Sequence, residues 1–441
     1  MRIVLLFCIL LVLACGEAEI KITSDERELY QNHRLLEAYF YHPERIKQYE
    51  KYIGMEVDSM YESLEDYFCG ANYVGNCPAR YTFYLPPEET DDKIDQIENT
   101  KKYHSFGFGR VGFLNEDKLV DTLVVSAVYP ISPAATAGLR KNDRLLFANG
   151  IPLTGENAIT YLKNDEPFED LTIFVVLRDG KADTLPAMRK ADVQEPTVYL
   201  DSLEGIPLIS VISYKVNTNN PNGTYAEFKK VLQEINGAKV AIMDLRDNPG
   251  GNIWHCTAMA AELVPLSSEL VYDVQHYFDS KRGNVVGISH DFAKNYLKQE
   301  GAGINIRWII LINERSASCS ERFTAALKYN RPETVIIGQT SFGKGIGQIY
   351  TRTKGKGLAY ITSLQTYYPN GETFHNIGII PDKPTEPGDK IAPYYAAIEV
   401  AKNLGLAKLS SSARSMTFPP ERQAEEMEPG AYRRIEIPLF H

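Results

Sequence analysis

The chain has 441 residues, 44% of them hydrophobic and 24% charged, which excludes wholesale disorder and gives length for two or three hydrophobic cores. A net charge of −10, with Lys and Arg scattered along the chain, argues against a nucleic-acid binder, which needs clustered basic residues to track phosphates. Eight histidines standing singly, and cysteines without ligand spacing, point to no zinc site, and no cofactor is expected.

The chain opens "MRIVLLFCILLVLACGEAEIK". One Arg is followed by an apolar run from Ile3 to Leu13, too short to span a membrane stably and suited to a secretory signal. "VLAC" before Gly16 and Glu17 resembles a bacterial lipobox, which implies Cys15 as a lipidated first residue, although Leu13 is a less usual neighbour. The alternative is a cleaved signal with cysteines in its apolar run. On either reading the protein is exported. Residues 1–21 are then a lipoprotein-type signal and tether, the compartment is the bacterial cell envelope, periplasmic or membrane-attached, and the anchor is the sole membrane contact. Of the other cysteines, Cys69 and Cys77 in "CGANYVGNC" are close enough for a local disulfide in an oxidising compartment.

Residues 22–103 show apolar positions at helical spacing, such as Met60, Leu64, Tyr67 and Phe68, and read as a small helical domain. Pro86, Pro87 and the acidic "EETDD" mark a break or turn inside it. Residues 104–190 change to short alternating segments. "SPAATAGLRKNDRLLFANGIPL" predicts a short helix bounded by Pro133 and Gly138, a turn at Lys141 to Asp143, a strand at Arg144 to Ala148 and a tight Asn149-Gly150 turn. The segment resembles a PDZ domain, in which an extended peptide adds to a strand edge and its carboxylate is held by backbone N–H groups of a glycine loop. The resemblance implies "FGFG" (Phe106, Gly107, Phe108, Gly109) as the peptide-binding loop; the same four residues also read as a plain β-turn.

Residues 191–402 alternate strand and helix, an α/β core. "TYAEFKKVLQEING" puts Phe228, Val231, Leu232 and Ile235 on one helical face, with Thr224 and Glu227 spaced as a capping box and Gly237 as the stop. "KVAIMDL", "RWIILIN" and "ETVIIG" are buried strands, and a helix follows at about Ser320 to Tyr329. Residues 403–441, rich in Ser, Pro and charge without periodicity, read as a loosely docked tail.

Within the α/β region, "GQTSFGKGIGQ" begins like a phosphate loop with Gly338, Gly343 and Lys344, but Gly345 stands where a magnesium-binding hydroxyl belongs. "NERSASCSERFTAAL" places Ser316, Ser318 and Ser320 where a strand passes into a helix, "DLRDNPGG" ends another strand in a glycine turn, and "SFGKGIGQ" carries Lys344 and Gln348. With the later "YYPNGETFHNIGIIPD", these motifs in this order closely resemble the carboxyl-terminal processing peptidases, or tail-specific proteases. The resemblance implies a crotonase/Clp-like catalytic core, Ser318 as nucleophile and Lys344 as base. Their separation of 26 residues is one longer than expected in the family, the extra residue being assigned to the "YNRPET" turn, and Cys319 stands where the family usually has alanine.

The chemistry stands without the family. A serine hydroxyl needs a neighbour to take its proton, and an amine can do so only when uncharged. An ordinary lysine titrates near ~10.4, so its pocket must be dry and apolar; Phe342 and Ile346 are the candidate walls. Gln348, uncharged, can hold the amine without keeping it protonated. The oxyanion needs preorganised donors, for which the N–H of Cys319 and one from the Gly250-Gly251 turn are candidates. Rival readings are a capping box at Ser318-x-x-Glu321, Cys319 as nucleophile, and a Ser/His system using His255. The joint reading is a Ser/Lys serine endopeptidase acting on protein substrates recognised near their C-termini through the PDZ-like domain. The alternative is a non-catalytic peptide- or ligand-binding relative.

Overall fold

The computed structural model describes residues 26–70, 73–114, 120–154, 157–158, 168–218, 220, 222–279, 281, 283–405 and 430–434; Cys15 and the leader lie outside them. The first domain contains helices α1 (Arg27–Tyr39), α2 (Val57–Leu64) and α3 (Pro87–Glu98). Its core of Leu36, Phe40, Tyr52, Met60, Tyr61 and Leu64 continues into Ile349, Ala359 and Ile361 of the α/β region, so the two share one apolar interior. The strand Phe83–Leu85 also pairs antiparallel with Leu358–Tyr360. Cys69 and Cys77 form a disulfide. The acidic run after Pro86 is helical, not a break. Pro87 occupies the first position of α3, where a missing N–H costs nothing, and Glu88 and Glu89 lie at the positive end of the helix dipole.

The second domain is a sheet ordered Phe108–Leu114, Val120–Val128, Arg144–Ala148, Phe174–Arg178, Lys181–Thr184. The short helix α4 (Pro133–Thr136) is capped by Ser132 Oγ, which accepts from Ala135 N at 3.1 Å. Asn149 and Gly150 both have positive φ, 49° and 77°, the geometry that suits a two-residue hairpin.

In the α/β region one sheet runs Val198–Leu203, Ile206–Val211, Val240–Asp244, Arg307–Ile312, Val335–Gly338, Lys383–Pro384, parallel after the first hairpin. Helices α5 (Gly223–Glu234), α6 (Ile253–Ala261) and α7 (Cys319–Asn330) lie on one face and α8 (Ala392–Asn403) on the other. Residues of Val240–Asp244 alternate accordingly. Ala241 and Met243 join the α5–α7 core, and Val240 and Ile242 the α8 core, which is why the strand reads as an unbroken apolar run. The predicted capping box on α5 is absent: the N-cap is Asn222. Thr224 Oγ1 instead accepts from Lys215 N at 2.9 Å, and Glu227 Oε2 accepts from Thr197 N and Val198 N at 2.7 and 3.1 Å. Thr224 thereby anchors the helix to the segment that precedes it, and Glu227 to the start of the strand Val198–Leu203.

A second sheet is ordered Gly250–Asn252, Gly430–Arg434, Ile346–Arg352, Leu358–Tyr367, Glu269–Asp279, Gly283–Phe292. The tail expected to dock loosely therefore contributes residues 430–434 as a strand, parallel to both neighbours. Backbone pairing needs no side-chain periodicity, and five residues are too few to display one.

Candidate active site

The strand Arg307–Ile312 enters a turn whose three serines have different fates. Ser316 Oγ donates to Leu245 O at 2.8 Å and Ser320 Oγ to Asn248 O at 3.0 Å, so both bind the "DLRDNPGG" segment. Ala317 N joins them at Asn248 O, 3.0 Å away. Between them Ser318 is 3% exposed and its Oγ has no hydrogen-bond partner. Its backbone is held at φ 56°, ψ −109°, an unfavourable conformation for a residue with a Cβ, and the kind of strain that surrounding structure must impose.

Ser318 and Lys344 line one small cavity, together with Ile253, Cys319, Arg322, Ile346, Leu364 and Phe374 among others. Lys344 is 1% exposed. Its Nζ donates to Gln348 Oε1 at 2.9 Å, Gln348 Nε2 donates to Thr362 Oγ1 at 3.1 Å, and Thr362 Oγ1 donates to Pro78 O at 2.9 Å. The direction of this relay fixes which end of Gln348 meets the amine: a neutral carbonyl oxygen. The glycines beside the lysine serve close packing, since a Cβ on Gly345 would lie 2.9 Å from the Cβ of His375. Ile346 walls the cavity as expected. Phe342 does not: it is 40% exposed, its backbone N–H tied to Ser316 O and its ring turned to solvent. Ile253, Leu364 and Phe374, distant in sequence, supply the apolar walls instead.

Glu321 has a larger part than helix capping. Fully buried, its Oε2 accepts from Ser318 N and Lys344 N, both at 2.8 Å, and its Oε1 from Ser341 Oγ and Gly343 N, both at 2.6 Å. One carboxylate thus joins the backbones of the serine turn and the lysine loop. Burial pushes its pKa up to about 7 against the pull of these four donors. The Ser-x-x-Glu spacing was visible in sequence as a capping box, and the two residues take up that arrangement at the start of α7; Glu321 Oε2 accepts from Ser318 N, while Ser318 Oγ makes no full hydrogen bond.

Cys319 begins α7 on the cavity wall. Its sulfur forms a disulfide with Cys256 of α6, which removes it as a rival nucleophile; a separation of 63 residues hid this pair in the sequence. The Gly250-Gly251 turn packs behind it, with Gly251 O 3.4 Å from Cys319 Sγ, but neither glycine lines the cavity. Gly250 N donates to Asn248 Oδ1 at 2.9 Å. A Cβ on Gly251 would lie 2.1 Å from Tyr214 O, so only glycine fits there. His255 Nδ1 accepts from Tyr225 N at 3.1 Å, and burial pushes its pKa down to about 4. It is a neutral structural acceptor and no partner of Ser318.

In the PDZ-like domain, Phe106 is 1% exposed and packs in the domain core with Phe174 and Leu145. Its side chain is therefore no peptide contact. Gly107, with φ 74°, turns the chain tightly against Ser132, and Phe108 and Gly109 begin the strand paired with Ala127 and Val128.

Residues 208–385 match the model of peptidase family S41, and residues 124–169 that of a PDZ domain. The chain is 25% identical over 339 residues to the probable CtpA-like serine protease of Staphylococcus aureus (strain COL), covering 76% of this chain and 62% of the relative. It is also 25% identical over 323 residues to the protein of that name in Staphylococcus haemolyticus (strain JCSC1435), covering 73% and 59%. The chain thus spans about three fifths of the length of these curated relatives. Among solved structures, it is similar to the photosystem II D1 C-terminal processing protease (19% identity, TM-score 0.46, 85% of this chain and 95% of that one). A putative S41 protease from Bacteroides fragilis NCTC 9343 gives 13% identity and a TM-score of 0.48, over 85% and 97%. The region matched by the S41 model contains the serine turn, the lysine loop and Gln348, and the PDZ match overlaps the segment read as PDZ-like in sequence.

Proposed function

We propose that the protein is a Ser/Lys serine endopeptidase that cleaves polypeptides recruited near their C-termini by the PDZ domain. The observation that carries this reading is that Ser318 alone of the three serines keeps an unengaged hydroxyl, on the same cavity as a buried lysine whose amine donates to the neutral side-chain oxygen of Gln348. Ser318 Oγ attacks the substrate carbonyl as its proton passes to Lys344 Nζ. The carbon–nitrogen bond then breaks, Lys344 returns the proton to the leaving amine, and an acyl-enzyme remains. Water, giving a proton to Lys344, attacks the acyl carbon; the bond to Ser318 Oγ breaks, Lys344 returns that proton to Oγ, and the second product leaves as a carboxylic acid. The N–H of Cys319, at the positive end of α7, is the proposed oxyanion donor. A glycine of the Gly250-Gly251 turn is the proposed second donor, and the backbone of the Phe106–Gly109 loop the proposed carboxylate grip.

We also propose export to the cell envelope with lipid attachment at Cys15. Two disulfides support an oxidising compartment. The test of the catalytic reading is incubation with an unstructured polypeptide. Wild type yields fragments, and the Ser318→Ala and Lys344→Ala proteins yield none while remaining folded. A complex without fragments from wild type overturns the reading in favour of a binding protein.

A further inference from the structure

We propose that the helical first domain completes the active site through Tyr81, a positioning residue that favours the protonated state of Lys344 formed during the reaction; this rests on the Ser/Lys reading above. Tyr81 ends a 3₁₀ turn, Pro78–Tyr81, directly after the Cys69–Cys77 disulfide. The face of its ring lies 4.4 Å from Lys344 Nζ.

The placement is held from several directions. Tyr81 Oη donates to Asn76 Oδ1 at 2.8 Å, and Asn76 Nδ2 donates to Gly343 O, next to the base, at 2.8 Å. Asn76 N donates to Asn376 Oδ1 at 2.5 Å. Pro78 O receives Thr362 Oγ1, the last link of the Lys344–Gln348 relay, and Thr82 Oγ1 receives Thr362 N at 3.0 Å. A turn tied to the base loop on one side and to the relay on the other puts its aromatic ring against the amine by construction.

An aromatic face is negative and attracts a cation far more than a neutral amine. When Lys344 accepts the serine proton, a charge appears on a side chain only 1% exposed, where such an attraction is stronger than at a surface. Because the attraction grows with the charge, it stabilises the transition state more than the armed resting state, which is the requirement for catalysis. Polar and titratable groups about this loop include Gln348 at Nζ, Ser318 and Arg322 on the cavity wall, Glu321 at the Lys344 backbone with Ser341 on its carboxylate, and His375, whose ring burial keeps neutral with a pKa of about 4.

Tyr81→Leu keeps bulk and removes the negative face. Two changes are expected with KM nearly constant: the high-pH plateau of kcat falls about 3- to 30-fold, and the acid limb of the profile moves to lower pH, because the ammonium has lost a partner. Tyr81→Phe, which keeps the face, retains both within about 3-fold. Asn76→Ala, which loosens the ring, moves both in the direction of Tyr81→Leu by less, and substitutes for it if the leucine protein does not fold. A wild-type plateau and limb in Tyr81→Leu, or lost activity with an unmoved limb, overturns the proposal. Titration of Lys344 by lysine-selective NMR in Ser318→Ala protein gives a readout independent of hydrolysis. The midpoint is expected to drop when Tyr81→Leu is added, and no drop overturns the role of Tyr81. Absence of cleavage by wild type with that drop present sinks the peptidase reading and leaves the ring–amine contact standing.

Discussion

Replacing Cys256 and Cys319 together by alanine tests how the serine turn is held. The bond closes a loop of 63 residues, and the chain-entropy relation puts its contribution at about 4 kcal/mol at 25 °C. The Cys69–Cys77 bond closes only 8 residues, for which the same relation gives about 2.5 kcal/mol. At about 2–4 °C per kcal/mol for a domain of this size, the first double variant should melt roughly 8–16 °C below wild type and the second roughly 5–10 °C below. Cys256, Cys319 and Cys77 are fully buried and Cys69 is 7% exposed, so mild reductant should open Cys69–Cys77, through Cys69, before Cys256–Cys319. Thermal scans of both variants, with thiol counts on native and unfolded wild type, make the comparison. A Cys256→Ala/Cys319→Ala protein melting within 2 °C of wild type refutes the reasoning, as do four titratable thiols in unfolded, unreduced wild type from these positions.

Glu321→Gln should change the pH dependence of stability. The raised pKa of about 7 means that the folded protein holds this proton more tightly than the unfolded chain does. The associated stability is present in full below about pH 4.5 and lost as pH rises through 7, a change of about 3 kcal/mol. Denaturant midpoints across that range should fall for wild type relative to Glu321→Gln, and parallel curves contradict the assignment. The same variant should lose at least about 10-fold in kcat, because an amide cannot accept from four donors. Gln348→Glu places a carboxylate on Lys344 Nζ and should hold the amine charged, moving the acid limb of kcat/KM up by about 1–3 pH units; an unmoved limb argues against Lys344 as the base.

Much of this site was legible because its parts are local. Ser318 and Glu321 share one turn of helix, and Lys344 and Gln348 share one strand end, so their spacing survives in the linear sequence. The buried strands Val240–Asp244, Arg307–Ile312 and Val335–Gly338 were legible as apolar runs, since each is covered by helices on both faces. What escaped was tertiary. Tyr81 reaches Lys344 across the domain boundary, Cys256 meets Cys319 only after α6 and α7 pack, and Leu364 and Phe374 become walls only once the second sheet forms. Phe342 misled because adjacency in sequence was taken for adjacency in space, whereas its backbone N–H is held by Ser316 O and its ring is left exposed. Thr224 and Glu227 misled in the opposite way: a local capping pattern was real as spacing but was recruited by Lys215, Thr197 and Val198.

The central claim is that Lys344, neutral within its cavity, removes the proton from Ser318. Single-turnover cleavage of an unstructured polypeptide by wild type and Lys344→Met, each checked for native fold by near-ultraviolet circular dichroism, tests it most directly. The account predicts a loss of about 10²- to 10⁴-fold in Lys344→Met, together with loss of the acid limb. A folded Lys344→Met protein that cleaves within about 3-fold of wild type, with the wild-type pH profile, contradicts it.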